Sequence, residues 1–276
     1  MKWRQRGMAL ISVLLVMSLA LLIIGAMLRS HHLLLQSSSL QLQQMHLRQL
    51  GMAGETWALS LLQTQQQNSA LVPDQTRSFD IEEARILVDI EDLAGRFNLN
   101  AVLIQGQIDQ VTLNRWARLL ELLDRPALQL DQVGALRELS QLRLLPGVDG
   151  PLLRQLEPWV ALLPKDAALN INTAPALVLR TLDGIEATTA DALLRQRSSS
   201  PWASVQAFTQ DPLLAGAGVS SHGLGIDSRW YRITVQVTQG QRRLRLATDV
   251  ERDAKTHQLK VLQRRLLPSH SSEITQ

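Results

Sequence analysis

The chain opens on a short basic stretch followed by an unbroken apolar run. Lys2, Arg4 and Arg6 come first, and the 21 residues of Met8–Leu28, which follow Gly7, carry no charge. At about 1.5 Å per helical residue, this run spans a bilayer core of roughly 30 Å. Because the cations precede the apolar run, residues 1–7 are predicted to stay cytoplasmic. The chain beyond the apolar run is predicted to lie on the opposite side of the membrane.

Beyond the apolar run, leucines recur at helical spacing through Arg29–Gln67. The first proline is Pro73, so no proline interrupts this stretch. Gly51 and Gly54 weaken the helical preference only locally. The pattern predicts one helix over Met8–Gln67, half in the membrane (8–28) and half against a folded body (29–67).

A period of two follows the helix and returns near the end of the chain. Asn68–Ser78 is predicted to be a polar linker. Apolar residues then alternate with polar ones at Ala84–Ile90, Tyr231–Thr238, Leu244–Val250 and Gln258–Arg264. These segments predict an antiparallel sheet with one buried face, whose natural partner is the outer half of the long helix.

Between these strand segments the signals are helical. The predicted helices are Asp109–Leu123, Asp131–Leu145, Pro151–Leu163, Ala174–Leu182 and Thr188–Arg197. Thr173 is predicted to cap the fourth of them, with Pro175 in its first turn. Leu213–Gly225 is rich in glycine, serine and alanine, which favours a flexible return loop.

Charge and cysteine content narrow the range of functions. The formal charge of +3 equals that of the three leading cations, so the chain from Met8 onward is neutral, with 25 basic and 25 acidic residues. Within it, Arg229–Arg265 carries 10 cations and 3 anions, which favours solvated strand faces or polar docking with a neighbour. The absence of cysteine excludes thiol chemistry, disulfides and cysteine-bound zinc.

No pattern of catalytic residues stands out. The six histidines are scattered, and the sequence contains no HExxH, P-loop, GxSxG or GxGxxG motif. The acids at Glu82, Glu83, Asp89, Glu91 and Asp92 are interpreted as solvated strand and turn faces. The sequence therefore predicts a protein that is not an enzyme.

The stretch RQRGMALISVLLVMSLALLI resembles the class III leader of type IV pilins and type II secretion pseudopilins. This resemblance implies that prepilin peptidase cuts between Gly7 and Met8, removes residues 1–7, and methylates the new amino terminus at Met8. Most members of the family carry glutamate at the fifth mature position, whereas this chain has Ser12 there. That departure fits the minor pseudopilin K (GspK) branch.

DLAGRFNLN at Asp92–Asn100 is similar to a segment of the same branch that precedes a helical insertion. The implied fold is α+β: a pilin-like long N-terminal helix packed on an antiparallel sheet, with a large all-α insertion domain. The body comprises residues 68–100 and 224–276, and the insertion residues 101–223. The implied role is at the tip of the pseudopilus, initiating or capping its assembly for protein export, with Ser12 as the tip determinant.

The resemblance also implies partners, a location and a cofactor. The partners are minor pseudopilins I and J, and through them H and the major pseudopilin G, with no nucleic acid. The location is the Gram-negative inner membrane, with the C-terminal domain in the periplasm. Calcium is the implied cofactor, and Asp211 and Asp227, which flank the return loop, are its candidate ligands, with helix stop and strand cap as the alternative roles.

A second interpretation rests on Leu169–Arg197, which resembles a helix-hairpin-helix unit with its hairpin at Gly184. Such a unit in a membrane-anchored protein would bind DNA during DNA uptake. Hairpins of this kind offer backbone N–H groups to a phosphate. Glu186 follows the hairpin and Asp149 follows a second, weaker one, so carboxylates would repel the phosphate, and the secretion role is favoured.

Overall fold

The computed structural model describes residues 4–64, 76–104, 107–128, 130 and 135–268 of the 276-residue chain. Its α-helices are α1 Arg4–Thr64, α2 Gln110–Leu122, α3 Gly150–Leu156, α4 Ala176–Leu179, α5 Ala187–Ser199 and α6 Val205–Thr209. Its strands are β1 Arg77–Ile81, β2 Ala84–Asp92, β3 Phe97–Asn98, β4 Leu103–Ile104, β5 Gln107–Ile108, β6 Val160–Ala161, β7 Leu169–Asn170, β8 Leu224–Gly225, β9 Trp230–Gln239, β10 Arg242–Arg252 and β11 Leu259–Leu267.

Helix α1 confirms the long helix predicted over Met8–Gln67, as far as Thr64. Residues 65–67 lie outside the described residues. Leu47, Leu50, Ala58 and Leu62 are buried, whereas the side chains of 13–31 are exposed. The helix therefore has one free half and one packed half.

The packed half of α1 lies on a five-stranded antiparallel sheet with the order β1-β2-β9-β10-β11. Burial alternates along the central strands as a sheet with one covered face requires, for example from Ile233 through Val235 to Val237. These three residues form a common core with the buried residues of α1. The predicted sheet is thus confirmed.

Two glycines let the helix approach this sheet closely. A Cβ built on Gly54 would stand 2.7 Å from Val235 Cγ1 and 3.1 Å from Ile86 Cγ2. At Gly51 the nearest atom would be Leu244 Cδ2, the tip of a flexible side chain, at 3.2 Å. Glycine at 54 is therefore a packing requirement of the interface, and its low helix propensity is secondary.

The chain between β2 and β9 forms a separate lobe, here called the helical lobe (residues 97–226). Its core is a second apolar cluster that includes Trp116, Leu156, Leu179, Leu193 and Phe208. Short parallel pairs, β3 with β6 and β7 with β8, join its segments at the side of the sheet. The lobe therefore has a core of its own and meets the sheet at the strand ends.

The helices of this lobe are shorter than predicted. Helices α2 and α5 confirm two of the predicted segments, but α3 ends at Leu156 and α4 covers only Ala176–Leu179. In place of the predicted helix Asp131–Leu145 there is a 3-10 helix at Leu139–Leu144, and residues 131–134 lie outside the described residues. Strand β6 occupies part of the predicted helix Pro151–Leu163, because Phe97 pairs with Val160.

Three further predictions were wrong. Arg77 and Ser78 belong to β1 and not to a polar linker, and 68–75 lies outside the described residues. Thr173 does not cap α4; its hydroxyl donates to Asp92 at 2.6 Å, and Pro175 stands at the cap position. The return loop contains ordered structure, a 3-10 helix at Pro212–Leu214 and strand β8.

Candidate functional site

The candidate site begins with the free half of α1. Val13–His31 is long and apolar enough to cross a membrane, and no part of it is buried against the rest of the protein. Soluble monomers rarely expose this much contiguous apolar surface. Ser18 donates its hydroxyl to the carbonyl of Leu15 at 2.9 Å, so this polar group is satisfied inside the helix. The segment has the properties of a single-pass membrane anchor.

The residues predicted to govern processing lie just before this span. Gly7, Met8 and Ser12 fall in the first turns of α1, and their side chains lie outside those that the structure describes. The cleavage between Gly7 and Met8, the methylation of Met8 and the role of Ser12 therefore stay predictions.

A buried carboxylate fastens the packed half of α1 to the sheet. Glu55 points into the interface, where Arg264 Nε lies 2.9 Å from Oε1 and Arg264 Nη2 lies 2.8 Å from the same oxygen. Thr248 on β10 donates to Oε2 at 3.1 Å. A carboxylate in this position is stabilised only because it is both paired and hydrogen-bonded. Glu55 thus ties the helix to β10 and β11 together.

A second buried carboxylate, Asp92, lies where the helical lobe meets the sheet. Its oxygens accept hydrogen bonds from Ala94 N at 2.8 Å, Asn170 Nδ2 at 2.9 Å and Thr173 Oγ1 at 2.6 Å, and from the hydroxyl of Ser228. The donors come from the 3-10 turn after β2, from β7 and the turn that follows it, and from the segment just before β9. One side chain therefore joins the two connections between the lobe and the sheet.

The four described hydrogen-bond donors of Asp92 are all neutral. Burial raises its pKa above the ordinary value, although each of the four hydrogen bonds acts in the opposite direction. Nearby, Tyr231 donates to the carbonyl of Ser228 at 3.0 Å, and burial raises its pKa to about 12. Both groups line a cleft of about 780 Å³ between the end of α1, the sheet and the lobe.

Two side chains hold the return loop against helix α2. Arg115 on α2 donates to the carbonyls of His222 at 2.7 Å and Ser220 at 3.1 Å. The His222 ring reaches back to Asp109, the N-cap of α2, with 2.7 Å between Nε2 and Oδ2. These contacts explain why the glycine-rich sequence there is not a free loop.

The two predicted calcium ligands have different surroundings. Asp211 is buried and caps the 3-10 helix Pro212–Leu214, with Leu213 N at 3.0 Å from Oδ1 and Trp202 Nε1 at 2.9 Å from Oδ2. Burial raises its pKa, but these bonds and one from Gln196 outweigh that effect and leave the pKa below 3.8. Asp227 is exposed and lines the cleft, which Asp211 does not.

This donor set does not fit a calcium site as it stands. The oxygens of Asp211 already accept three N–H groups, which a cation would have to displace. Within the described ranges, no three acidic or histidine side chains are grouped closely enough to hold a metal. Asp211 begins the 3-10 helix Pro212–Leu214 as its N-cap, and calcium binding stays a prediction.

The hairpin of the DNA-binding alternative is covered. Gly184 adopts φ +70°, as a tight turn between α4 and α5 requires, but a Cβ on it would stand 2.6 Å from the carbonyl oxygen of Ala217. Asp183 beside it pairs with Arg118 at 2.6 Å. The backbone that would face a phosphate is therefore packed against the return loop.

Sequence reasoning missed the two buried carboxylates. Asp92 was interpreted as one of several solvated acids, yet it is 5% exposed. Glu91 is also partly buried and pairs with Arg96. A usable signal existed for Asp92, because it ends an alternating strand directly before a small-residue turn. The sequence signal for Glu55 was weaker: it is the single acidic residue within α1.

Comparisons with known proteins agree with this architecture. A family profile described as "Type II secretion system (T2SS), protein K" matches residues 169–227. Type II secretion system protein K of Klebsiella pneumoniae is 27% identical, covering 96% of this chain and 97% of that protein. Its counterpart in Pseudomonas aeruginosa is 26% identical, covering 91% and 90%.

A solved structure shares the fold. The match is a chain of "the GspK-GspI-GspJ complex from enterotoxigenic Escherichia coli Type 2 Secretion System", with a TM-score of 0.69 and 22% identity. It covers 83% of this chain and 98% of that one.

The long helix fits a single-pass membrane anchor along its apolar half and packs on an antiparallel sheet along the other, which defines the pilin-like α+β fold class. The helical lobe, and the relatives that match nearly from end to end, narrow the class further. The chain is thus similar to type II secretion system protein K, in sequence over most of its length and in family profile over residues 169–227.

Proposed function

We propose that this chain is a non-enzymatic minor pseudopilin at the tip of the type II secretion pseudopilus, where it helps initiate or cap assembly for export across the outer membrane. It is anchored in the inner membrane with a cytoplasmic amino terminus and a periplasmic body. Prepilin peptidase cuts between Gly7 and Met8 and methylates Met8. The mature chain comprises the membrane helix, the sheet body and the inserted helical lobe.

The observation that carries the tip position is where the lobe sits along α1. The cleft beneath the lobe is lined by Leu61 from the end of the helix, together with Trp159 and Pro175 of the lobe. Arg252 at the same end of the sheet donates to the carbonyl of Leu62 at 2.9 Å. The lobe is therefore at the end of α1 far from the membrane span. In a fibre of parallel helices, it would block the addition of a subunit above it.

Ser12 supports the same position. In a bundle of apolar helices, a carboxylate is tolerated only where a cation pairs with it, because a lone charge in lipid costs at least about 2.5 kcal/mol. The topmost subunit has no amino terminus above it to supply that cation. Serine in place of the usual glutamate avoids the cost.

The direct partners of this chain are minor pseudopilins I and J. These connect it to minor pseudopilin H and to the major pseudopilin G. The related E. coli protein was solved in a complex with GspI and GspJ, which supports the assignment.

Mass spectrometry of the mature amino terminus tests the proposal. We expect an N-methylated Met8 in cells that contain prepilin peptidase, and an uncut chain when Gly7 is replaced by alanine or the peptidase is absent. A functional protein that retains Met1 would overturn the assignment.

A further inference from the structure

The two edges of the sheet differ in how well they are protected. Edge strands expose unpaired backbone groups, and proteins usually guard them with charges or bulges. Both edge strands carry charges, Lys260 and Arg265 on β11 and Arg77 and Asp80 on β1, but only β11 has an irregular pairing, at Asp249/Val250 of β10. Strand β1, at the other edge, has a regular register with β2 throughout. Within the part of the chain that the structure describes, no strand pairs with the outer side of β1, and this edge is here called the open edge.

The open edge presents a defined set of hydrogen-bonding groups. Ile81 pairs with Ala84 across a two-residue turn, so the hydrogen-bonded pairs on β1 are at 77, 79 and 81. The N–H and C=O groups of Ser78 and Asp80 consequently point away from β2. This is the pattern that an added strand would bind.

An apolar groove runs beside this edge on the side of α1. It has a volume of about 570 Å³ and is lined by Ala53, Trp57, Arg77, Ser78, Phe79 and Ile81. The rings of Trp57 and Phe79 lie 5.1 Å apart at 56°, and Phe79 is only partly buried. Inward-pointing side chains of an added strand would fill this groove.

Charge defines what the added strand should carry. Exposed Asp80, Glu82 and Glu83 stand at the end of β1 nearer the membrane span, where His46 of α1 lies 3.6 Å from Glu82. Exposed Arg77 stands at the other end. A matching strand has a cation near the membrane end and apolar residues facing Trp57.

The membrane anchor excludes a second copy of this chain as the partner that binds the β1 edge. A two-fold dimer of this chain through β1 would pair the strands antiparallel and direct the two α1 helices in opposite directions. Two such helices cannot leave the same membrane on the same side. A partner in the same membrane must have its long helix aligned with α1.

We propose that the β1 edge is a docking site for an edge strand of an aligned, membrane-anchored pilin-like subunit, which extends the sheet and covers the Trp57–Phe79 groove. This inference rests on the proposed function and names one contact through which a partner of the I or J type would be held.

The test uses the full-length chain in detergent micelles, purified alone and together with its cognate I and J subunits. Hydrogen exchange over 77–81 is measured in both samples. We expect fast exchange at the amides of Ser78 and Asp80 in the isolated chain and protection in the complex. Protection already present in the isolated chain would show that residues of the chain itself cover the edge, and would overturn the proposal.

A matched pair of variants tests the backbone contact itself. Ser78→Pro removes an outward N–H that β2 does not use, so the sheet should persist, whereas Ser78→Ala keeps that N–H. We expect S78P to weaken association with I or J about tenfold or more, and S78A to leave it unchanged. Equal co-purification of the two variants would overturn the docking site alone. A wild-type chain that binds neither subunit would overturn the proposed function as well. If S78P does not fold, the exchange measurement on the wild-type complex still decides.

Discussion

Two buried carboxylates are stabilised by different chemistry. Glu55 faces an arginine, whereas Asp92 receives four hydrogen bonds from neutral donors. If either carboxylate is removed, its buried hydrogen-bond donors have neither water nor a protein acceptor. Each also bridges segments that are far apart in the sequence, so each fastens a tertiary contact.

Replacing Asp92 by alanine should destabilise the protein, because Ala94, Asn170, Thr173 and Ser228 would lose their shared acceptor. We expect a loss of about 2 kcal/mol or more in the free energy of unfolding, measured with urea in detergent micelles. Asp227→Ala is the matched control, since this exposed aspartate lines the same cleft and should change the free energy by less than about 0.5 kcal/mol. Equal effects would contradict the role given to Asp92.

The raised pKa of Asp92 predicts a pH dependence of stability. A group whose folded pKa lies above its unfolded value stabilises the fold fully below that unfolded value, 3.8, and loses this contribution as pH rises through the folded pKa. The free energy of unfolding of the wild type, minus that of Asp92→Asn, should therefore fall as pH rises from 3.8 toward neutrality. A difference that rises over this range would refute the direction of the shift.

Glu55 and Arg264 should behave as a coupled pair. Arg264→Ala should cost about 2 kcal/mol or more, because Glu55 stays buried without its counter-charge. Glu55→Ala should cost less, because the Arg264 side chain is half exposed and stays hydrated. The double variant should cost clearly less than the sum of the two, as read from a double-mutant cycle of unfolding free energies. Additive losses would mean that the ion pair contributes nothing of its own.

At the scale of elements, the contact between α1 and the sheet depends on the backbone of one helix turn. Alanine normally stabilises a helix relative to glycine by about 1 kcal/mol. Gly51→Ala should keep most of that gain, because only the flexible tip of Leu244 must move. Gly54→Ala should instead lower the free energy of unfolding by about 1–3 kcal/mol, since Val235 and Ile86 block the new methyl group. Similar melting shifts for the two variants would contradict this packing.

The elements that sequence predicts well here are those with a long, regular period. The 61 residues of α1 and the alternation along β9 each repeat one environment many times. The lobe offers no such repetition. Its helix α4 is four residues long, and Thr173 serves Asp92 instead of the helix.

The parts of the site that could not be predicted from the sequence depend on contacts between residues far apart in the chain. Val160 enters a strand because Phe97 lies beside it, 63 positions away by residue number. Ser228 meets Asp92 across a separation of 136 residues. The residues around Val160 or Ser228 in the sequence do not reveal these contacts. The apolar segment of α1 could be predicted, because its signal lies entirely within one stretch of the chain.

At the scale of the whole molecule, the structure predicts that the helical lobe does not act on DNA. The hairpin at Gly184 is covered by Ala217, and Asp183 is paired with Arg118. Filter binding of the full-length chain to duplex DNA in micelles should show no salt-sensitive retention at micromolar protein. Retention that falls steeply with added salt would revive the DNA-uptake alternative.

The helical lobe lies between two strands that pair with each other, so it can be present without disturbing the sheet. Strand β2 ends at Asp92 and β9 begins at Trp230, and Asp92 lies opposite Tyr231 in the ladder. The whole lobe is topologically the loop of one β-hairpin. Each doubling of a loop adds only about 0.6 kcal/mol of closure entropy, so a hairpin turn can grow to the size of a domain once the insert folds on its own core. An insertion at this turn therefore adds a whole domain to the protein while every strand register of the sheet is kept.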